Sequence, residues 1–518
     1  MKKRMKQLAA LATLLMLVFG GCGKETEAPV VTEEPEIVEE AVETEEVSEE
    51  VPAGEEIVAE FPLSIHINTN RKTYYNEESE DAYLYLQYCD VEVETTEYTK
   101  LERNIENWSM ERSEELRRFY QSFEEPTSEE VQNSENSYTY TLHQYLTIAR
   151  ADSAVVSLLD DTYQYISGNE SSTFYRKGIN FDSESGKRLG LSDIFYDYEG
   201  FIESAKVRIV EELESDYSEQ LYEDYLTTVE NLWQEESEPE WYLDASGIVI
   251  VLQQLSVGPY SVGTPEICLP YTEFASYIKT AYLPGNQEGV ALFKQNQEVY
   301  LSLPGAEEEV PMMLRSELKD DFMYNSLWLG NDEEQLQDYV VVQNAYIVRT
   351  DGEIYCMVEV DEASDDYKTY IFRVTEGTLE KVDEIYAAID MGNISAYEIR
   401  METAIYFLGT YGGVKSYHFD ENGDFVTEDS EYLLYKNEYA LTTTVDLPVT
   451  LEGAQSILPA GSHIILNATD DETYVKFTIQ ETGQTGVLQA ERDENDYYNL
   501  SINGMNENDC FEFLPYAG

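Results

Sequence analysis

The stretch SLLDDTYQYISGNESSTFYRKGINFDSESGKRLGLSDIF, residues 157–195, alternates strand-like runs with polar punctuation. Residues 154–166 are rich in valine, leucine and tyrosine, the composition of a sheet strand. Ser167, Gly168, Asn169 and Glu170 make a polar, glycine-containing loop, and residues 175–181 return to strand character. A polar turn over residues 182–186, closed by Gly186, leads to a further strand-like run at 187–191. Leu189, Leu191, Ile194 and Phe195 supply core positions, and Asp193 stands where a side-chain carboxylate caps a following helix. A hairpin that passes through a tight turn into a helix predicts an antiparallel sheet with helices packed on it.

The flanks carry the same pattern outward. Residues 82–94 (AYLYLQYCDVEVE) and 137–149 suit strands, and between them residues 99–125 place Leu101, Ile105, Trp108, Leu116, Phe119 and Phe123 at helical spacing among charges. Downstream, residues 198–236 predict a long acidic helical region with Phe201, Ile202, Ala205, Ile209, Leu213, Leu221, Tyr225 and Leu232 on its apolar side. Residues 241–255 and 266–270 are strand-like again.

The linked motifs over residues 157–195, followed by WYLDASGIVIVLQQLSVGPYSVGTPEICLPYTEF at 241–274, resemble a bacterial extracytoplasmic domain family. The family occurs in RsiV, a membrane anti-sigma factor that senses lysozyme, and beside the catalytic domain of PdaC, a peptidoglycan deacetylase. The resemblance covers residues 61–282 and implies an α+β domain working outside the cytoplasm, with Gly168, Asn169 and Glu170 as its candidate ligand-binding loop. An anti-sigma role needs a cytoplasmic segment and a cleavable membrane span. Only a handful of residues precede the apolar N-terminal run, so that role is not expected here.

Beyond residue 286 the pattern changes to short strands separated by Asp-Gly and Asn-Gly turns, which predicts a β-rich region over 287–436 with propeller-blade-like hairpins. Residues 440–518 contain an L-P-x-G turn and a series of short strands that resemble a small bacterial SH3-like barrel. There Tyr474 occupies a place where such barrels use aromatic side chains for contact. The expected fold class is therefore multidomain: an α+β N-terminal domain, with helices packed on an antiparallel sheet, followed by an all-β C-terminal half.

The N-terminus supplies an address. Lys2, Lys3, Arg4 and Lys6 precede an apolar run over residues 8–19, and Gly20 and Gly21 precede Cys22. Such a run is too short for an ordinary membrane span and has the layout of an export signal. Small residues before a cysteine resemble the bacterial lipobox, which implies cleavage after residue 21 and acylation of Cys22. Residues 22–60, with 15 glutamates against Lys24 alone, predict an extended tether. The expected location is the outer side of the cell membrane, anchored by lipid.

Charge narrows the partners. The chain has 104 acidic and 32 basic residues, a formal net charge of −72. Duplex binding needs lysine and arginine to neutralise phosphates, so nucleic acid is excluded as a partner class. A cationic protein or peptide fits this charge, as the resembled family's lysozyme sensing also implies, and a cell-wall glycan is the second partner class. The four histidines are far apart, and neither H-E-x-x-H nor G-x-S-x-G occurs. No catalytic residues and no cofactor are expected. Asp420, Asn422, Asp424 and Glu431 have offsets reminiscent of a calcium loop, and a hairpin turn accounts for the same residues. Cys89, Cys268, Cys356 and Cys510 are dispersed, either with Cys89 and Cys268 paired or with all four as buried free thiols. The sequence thus points to a non-catalytic binding or sensing lipoprotein of the envelope, or to an accessory or enzymatic component of peptidoglycan processing.

Overall fold

The computed structural model describes residues 63–75, 82–95, 97–120, 139–167, 172–234, 238–303, 306, 308–319, 322–336, 340–362, 366–435, 440–493 and 496–516. They form several β-sheets with few helices. The first strands are β1 (Ser64–Tyr75) and β2 (Ala82–Glu94), paired antiparallel, followed by helix α1 (Thr99–Tyr120). Then come β3 (Tyr140–Asp152), β4 (Val155–Ile166) and β5 (Thr173–Asp182) as a meander. Leu101, Ile105, Leu116 and Phe119 recur at helical spacing and are buried. Polar side chains on the same helix fix its seat. Ser109 Oγ accepts the Val91 N–H at 2.8 Å, and Arg112 Nε donates to Asp160 Oδ2 at 2.7 Å. The turn after β5 packs on the start of α1. Gly186 has φ +68°, and a Cβ there would lie 2.6 Å from the Lys100 backbone, so only glycine fits.

The acidic region after this turn is interrupted. Helix α2 covers Tyr198–Tyr217 and α3 Tyr225–Asn231, within the long acidic helical region expected over 198–236. Acidic side chains crowd the C-terminal end of α2, whose last turn has no basic residue, and negative charge there opposes the helix dipole. Residues 187–191 make only an isolated bridge, Phe181 to Arg188, before a 3-10 turn at Leu191–Ile194. Asp193 caps that turn by accepting the Gly190 N–H at 2.9 Å, while Asp197 takes the expected capping role for α2. Strands β6 (Glu240–Leu243), β7 (Gly247–Val251) and β8 (Glu266–Pro270) form a three-stranded sheet under α2 and α3. Phe201, Ala205, Ile209 and Leu213 of α2 close its core with Trp241, Ile248, Ile250 and Leu269.

Residues 282–287, expected as a domain boundary, are not a break in the sheet. Strand β9 (Gly289–Leu292) pairs on one side with β3 and on the other with a later strand. Strands β10 (Glu298–Leu301), β11 (Val310–Lys319), β12 (Phe322–Leu329) and β13 (Asp332–Gln335) form their own sheet. Strands β14 (Val341–Thr350), β15 (Glu353–Asp361), β16 (Tyr367–Thr375) and β17 (Thr378–Ile385) extend the first one. The expected blade-like hairpins thus lengthen an existing sheet. Strands β18 (Ala388–Ile394), β19 (Ile399–Tyr406) and β20 (Thr410–Phe419) begin a further sheet, which continues through Tyr432–Tyr435 into strands of residues 440–490. The expected boundary near 436–440 is therefore also crossed by strand pairing.

Candidate functional site

The site follows from a fork in the first sheet. Strand β3 is thirteen residues long, and one edge is paired with β4 from Tyr140 to Ala151, with a bulge after Ile148. Its other edge is shared by two strands. β2 runs parallel to it only along Tyr140–His143, and β9 joins only at Arg150–Asp152. Between them, side chains replace the missing strand. Gln144 Oε1 accepts the Cys89 N–H at 3.0 Å, Gln87 Nε2 donates to Gln144 O at 2.9 Å, and the Tyr346 hydroxyl donates to Ile148 O at 2.9 Å. Buried backbone groups need such partners, and here they serve the carbonyls of Gln144 and Ile148 where the two strands diverge.

Strand β18 packs across this fork. Asn393 Nδ2 donates to Ile67 O at 3.2 Å, and Ser64 bonds Ser395 at 3.2 Å. The two sheets leave an open cleft of about 450 Å³, lined by Arg71, Tyr145, Asp390, Arg400, Glu402 and Tyr435 among others. That volume falls in the usual range for small-molecule sites. Asp390 accepts from the Gly392 N–H at 3.1 Å and from Asn393 Nδ2 at 2.8 Å. Burial, reinforced by the charge of Glu402, pushes its carboxyl up to about 6. Arg400 Nε stands 3.6 Å from Asp390 Oδ2, and Nε is buried without a hydrogen-bond partner. Tyr435 donates its hydroxyl to Glu402 and is raised by burial and by that carboxylate. Beneath the cleft, Glu359 accepts from the Ile389 N–H at 2.6 Å and from Asn344 Nδ2 at 3.0 Å. Burial takes it up to about 7.

The cleft opens beside a row of polar and aromatic residues. Arg71, Gln87, His143, Tyr163 and Phe174 are in register across β1 to β5 and therefore share one face. Tyr145, 47% exposed, stands at the rim, its hydroxyl 3.2 Å from His143 Nδ1. Burial and the nearby Arg71 charge lower His143. An arginine pair, two carboxylates and tyrosine rings around an open cleft suit a ligand that offers both hydrogen-bonding groups and a flat face.

Other expected residues fall elsewhere. Gly168, Asn169, Glu170 and Cys22 lie outside the described residues. Tyr474 and Glu431, from different candidate sets, meet: the Tyr474 hydroxyl donates to Glu431 Oε1 at 2.5 Å, and Lys476 Nζ lies 2.6 Å from the same oxygen. Against the cost of partial burial, these partners hold Glu431 below the usual carboxylate range. Asp420, Asn422 and Asp424 form a hairpin tip in which Asp420 Oδ1 accepts the Asn422 and Asp424 N–H groups, each at 2.9 Å. Glu431 is thus committed to Tyr474 and Lys476, whereas the three remaining residues of the calcium-like set make a turn. Among the described residues no group of three or more histidine, cysteine, aspartate or glutamate side chains is arranged to hold a metal ion. Cys89, Cys268, Cys356 and Cys510 are free thiols. Gln253 and Gln254, singled out by neither composition nor charge, bond the backbone of β5 at Arg176 and Phe174.

Residues 192–272 match the family model described as "Protein of unknown function (DUF3298)". A DUF3298 domain is present. Two solved structures of that family are similar to this chain. One, from Pseudomonas aeruginosa, is 17% identical, with a TM-score of 0.32, and the match covers 43% of this chain and 98% of that one. The other, from Bacteroides fragilis, is 14% identical, with a TM-score of 0.34, covering 42% and 94%. No curated protein matches the sequence. Within the DUF3298 segment Glu266 is spent on structure. Against the cost of burial, Lys294 and Arg176, together with the Tyr242 hydroxyl, hold Glu266 below the usual range. The cleft residues Arg71, Tyr145, Asp390, Arg400, Glu402 and Tyr435 all lie outside the segment. They come from four stretches far apart in the chain, and no motif in any one of them marks the site.

Proposed function

We propose that this protein is a lipid-anchored, extracytoplasmic binding module, held at the membrane by Cys22 and the acidic tether, whose ligand enters the cleft at the sheet fork. The reading keeps an α+β N-terminal domain, an all-β C-terminal half and an SH3-like terminal part as its functional layout. It is non-catalytic. The observation that supports it is the convergence of Arg71, Arg400, Glu402 and the exposed Tyr145 on one open cleft. A wall glycan offers hydroxyl groups and a flat ring face to such a lining, and a cationic protein or peptide is drawn by the net charge of −72. Binding of solubilised wall fragments and of lysozyme, measured by calorimetry, tests the reading. Lysozyme binding should weaken steeply as salt screens exposed charges beyond about 8–10 Å. Failure of both probes to bind at low salt overturns the binding role. Cys22→Ala should release the protein from the membrane or leave its signal uncleaved, and unchanged acylation overturns the anchor.

A second reading, an enzymatic component of peptidoglycan processing, is favoured by Asp390, whose raised carboxyl sits by Glu402 in the same cleft. A carboxyl raised toward the neutral range beside a second carboxylate is the arrangement of acid–base hydrolysis. Soluble products from wall fragments, abolished by Asp390→Asn, would establish it over the non-catalytic role.

A further inference from the structure

The other arm of the fork encloses a second, much smaller space. Asp152 of β3, Gly289 of β9 and Arg349 of β14 are in register across the first sheet and share a face, on which Arg150 also lies, two residues before Asp152. Gly289 has φ +154°, and a Cβ there would meet Ala151 O at 2.3 Å. Only glycine therefore fits in the row between Asp152 and Arg349. Asp244, in the turn before β7, joins them, and the chamber is lined by Arg150, Asp152, Asp244, Gly289 and Arg349 among others.

Arg150 and Asp244 are each anchored on one side and unpartnered on the other. Arg150 Nε donates to Asp152 Oδ2 at 2.7 Å, and its Nη1 donates to the Tyr271 hydroxyl at 3.1 Å and to Tyr282 O at 2.9 Å. Asp152 Oδ1 accepts the Ala154 and Val155 N–H groups at 2.8 and 3.0 Å. Asp244 Oδ1 accepts the Ser246 and Gly247 N–H groups at 2.8 and 3.0 Å. Arg150 Nη2, Asp244 Oδ2 and Arg349 Nε remain buried with no hydrogen-bond partner. Arg150 and Asp244 are 1% and 0% exposed. Buried polar groups are rarely left so, and two donors and one acceptor belong to residues lining one enclosed space. The volume open to a water centre is about 10 Å³, close to that of one water by the same measure.

The geometry points to a binding site for a single water molecule in this chamber, accepting hydrogen bonds from Arg150 Nη2 and Arg349 Nε and donating one to Asp244 Oδ2. The donor set selects water over other small ligands. A halide accepts from both guanidinium groups but has no proton for Asp244, and a metal cation is repelled by two arginines. The bound water is a structural ligand that ties β3, the turn before β7 within residues 192–272, and β14 to one another, three segments remote in sequence.

Crystals of the full-length protein grown near neutral pH, where Asp244, pushed up by burial to about 6, is ionised, are soaked in sodium bromide. The expected result is one peak without anomalous signal, about 3 Å from each of the three atoms. An anomalous bromide peak in the chamber overturns the assignment, and so does an empty chamber in which Arg349 turns to bond Asp244 directly. The outcome is independent of whether wall fragments or lysozyme bind the cleft.

Discussion

The DUF3298 segment and the sheet fork use the same side-chain types to opposite ends. In residues 192–272 and the strands against them, carboxylates and cations meet in pairs. Arg176 forms a two-pronged pair with Asp161 at 2.7 and 2.6 Å and reaches Glu266 at 2.8 Å, and Lys294 closes on Glu266 at 2.6 Å. At the fork, Arg400 and Asp390 stand 3.6 Å apart on paired strands that line an open cleft, with an exposed tyrosine at its rim. In the stretch that matches the family model these charged pairs hold the fold. The groups that line the cleft lie outside it.

Substitutions separate the two regions, and the largest effect belongs to the matched segment. Phe201 is fully buried and stacks on Phe195 with ring centroids 3.9 Å apart. Phe201→Ala should cost about 3–5 kcal/mol in a urea unfolding curve, through lost burial and the cavity left behind. A loss below about 1 kcal/mol would mean that α2 is not part of the cooperative core.

The second effect is pH-dependent and tests the floor of the cleft. The folded-state carboxyl of Glu359 keeps its proton to about 7, against an ordinary value of 4.5. Its contribution to stability is therefore fully present below 4.5 and is lost as pH rises through 7. Each tenfold change in a protonation equilibrium is worth about 1.4 kcal/mol, so Glu359→Gln should gain up to about 3 kcal/mol relative to the parent between those limits. Parallel stability curves for variant and parent from acid to neutral pH would contradict the buried placement of this carboxyl.

The smallest stability effect is expected at the rim. Tyr145→Ala and Arg400→Met should change unfolding free energy by about 0.5–1 kcal/mol, because neither side chain closes the core. Both should weaken binding of wall fragments by at least about tenfold, which corresponds to about 1.4 kcal/mol. A large stability loss with unchanged binding would return these residues to the structural class.

Much of the local structure was legible in the sequence. The alternating aromatic run AYLYLQYCDVEVE is β2, and the spacing of Leu101, Ile105, Leu116 and Phe119 is the buried stripe of α1. The short strands expected within residues 287–436 include β15 and β16, because Asp-Gly and polar turns bound them. The sheet order was not legible. β3 meets β9 across more than a hundred residues, and pairing at such separation leaves no local periodicity. The break between α2 and α3 was hidden because apolar spacing continues through Leu221 and Tyr225, while the opposing helix-end charge is a weaker signal. The cleft was hidden for the same non-local reason. Nothing in the sequence marks Arg71, Tyr145, Asp390 or Tyr435 as belonging together until the fork brings them to one cleft.

Hydrogen–deuterium exchange of the intact protein, with and without solubilised wall fragments, tests most directly whether ligand meets the fork. The account predicts slowed exchange in peptides covering residues 67–71, 143–147 and 389–402, with residues 192–272 unchanged. Protection confined to residues 192–272, with the fork peptides unchanged, would contradict it.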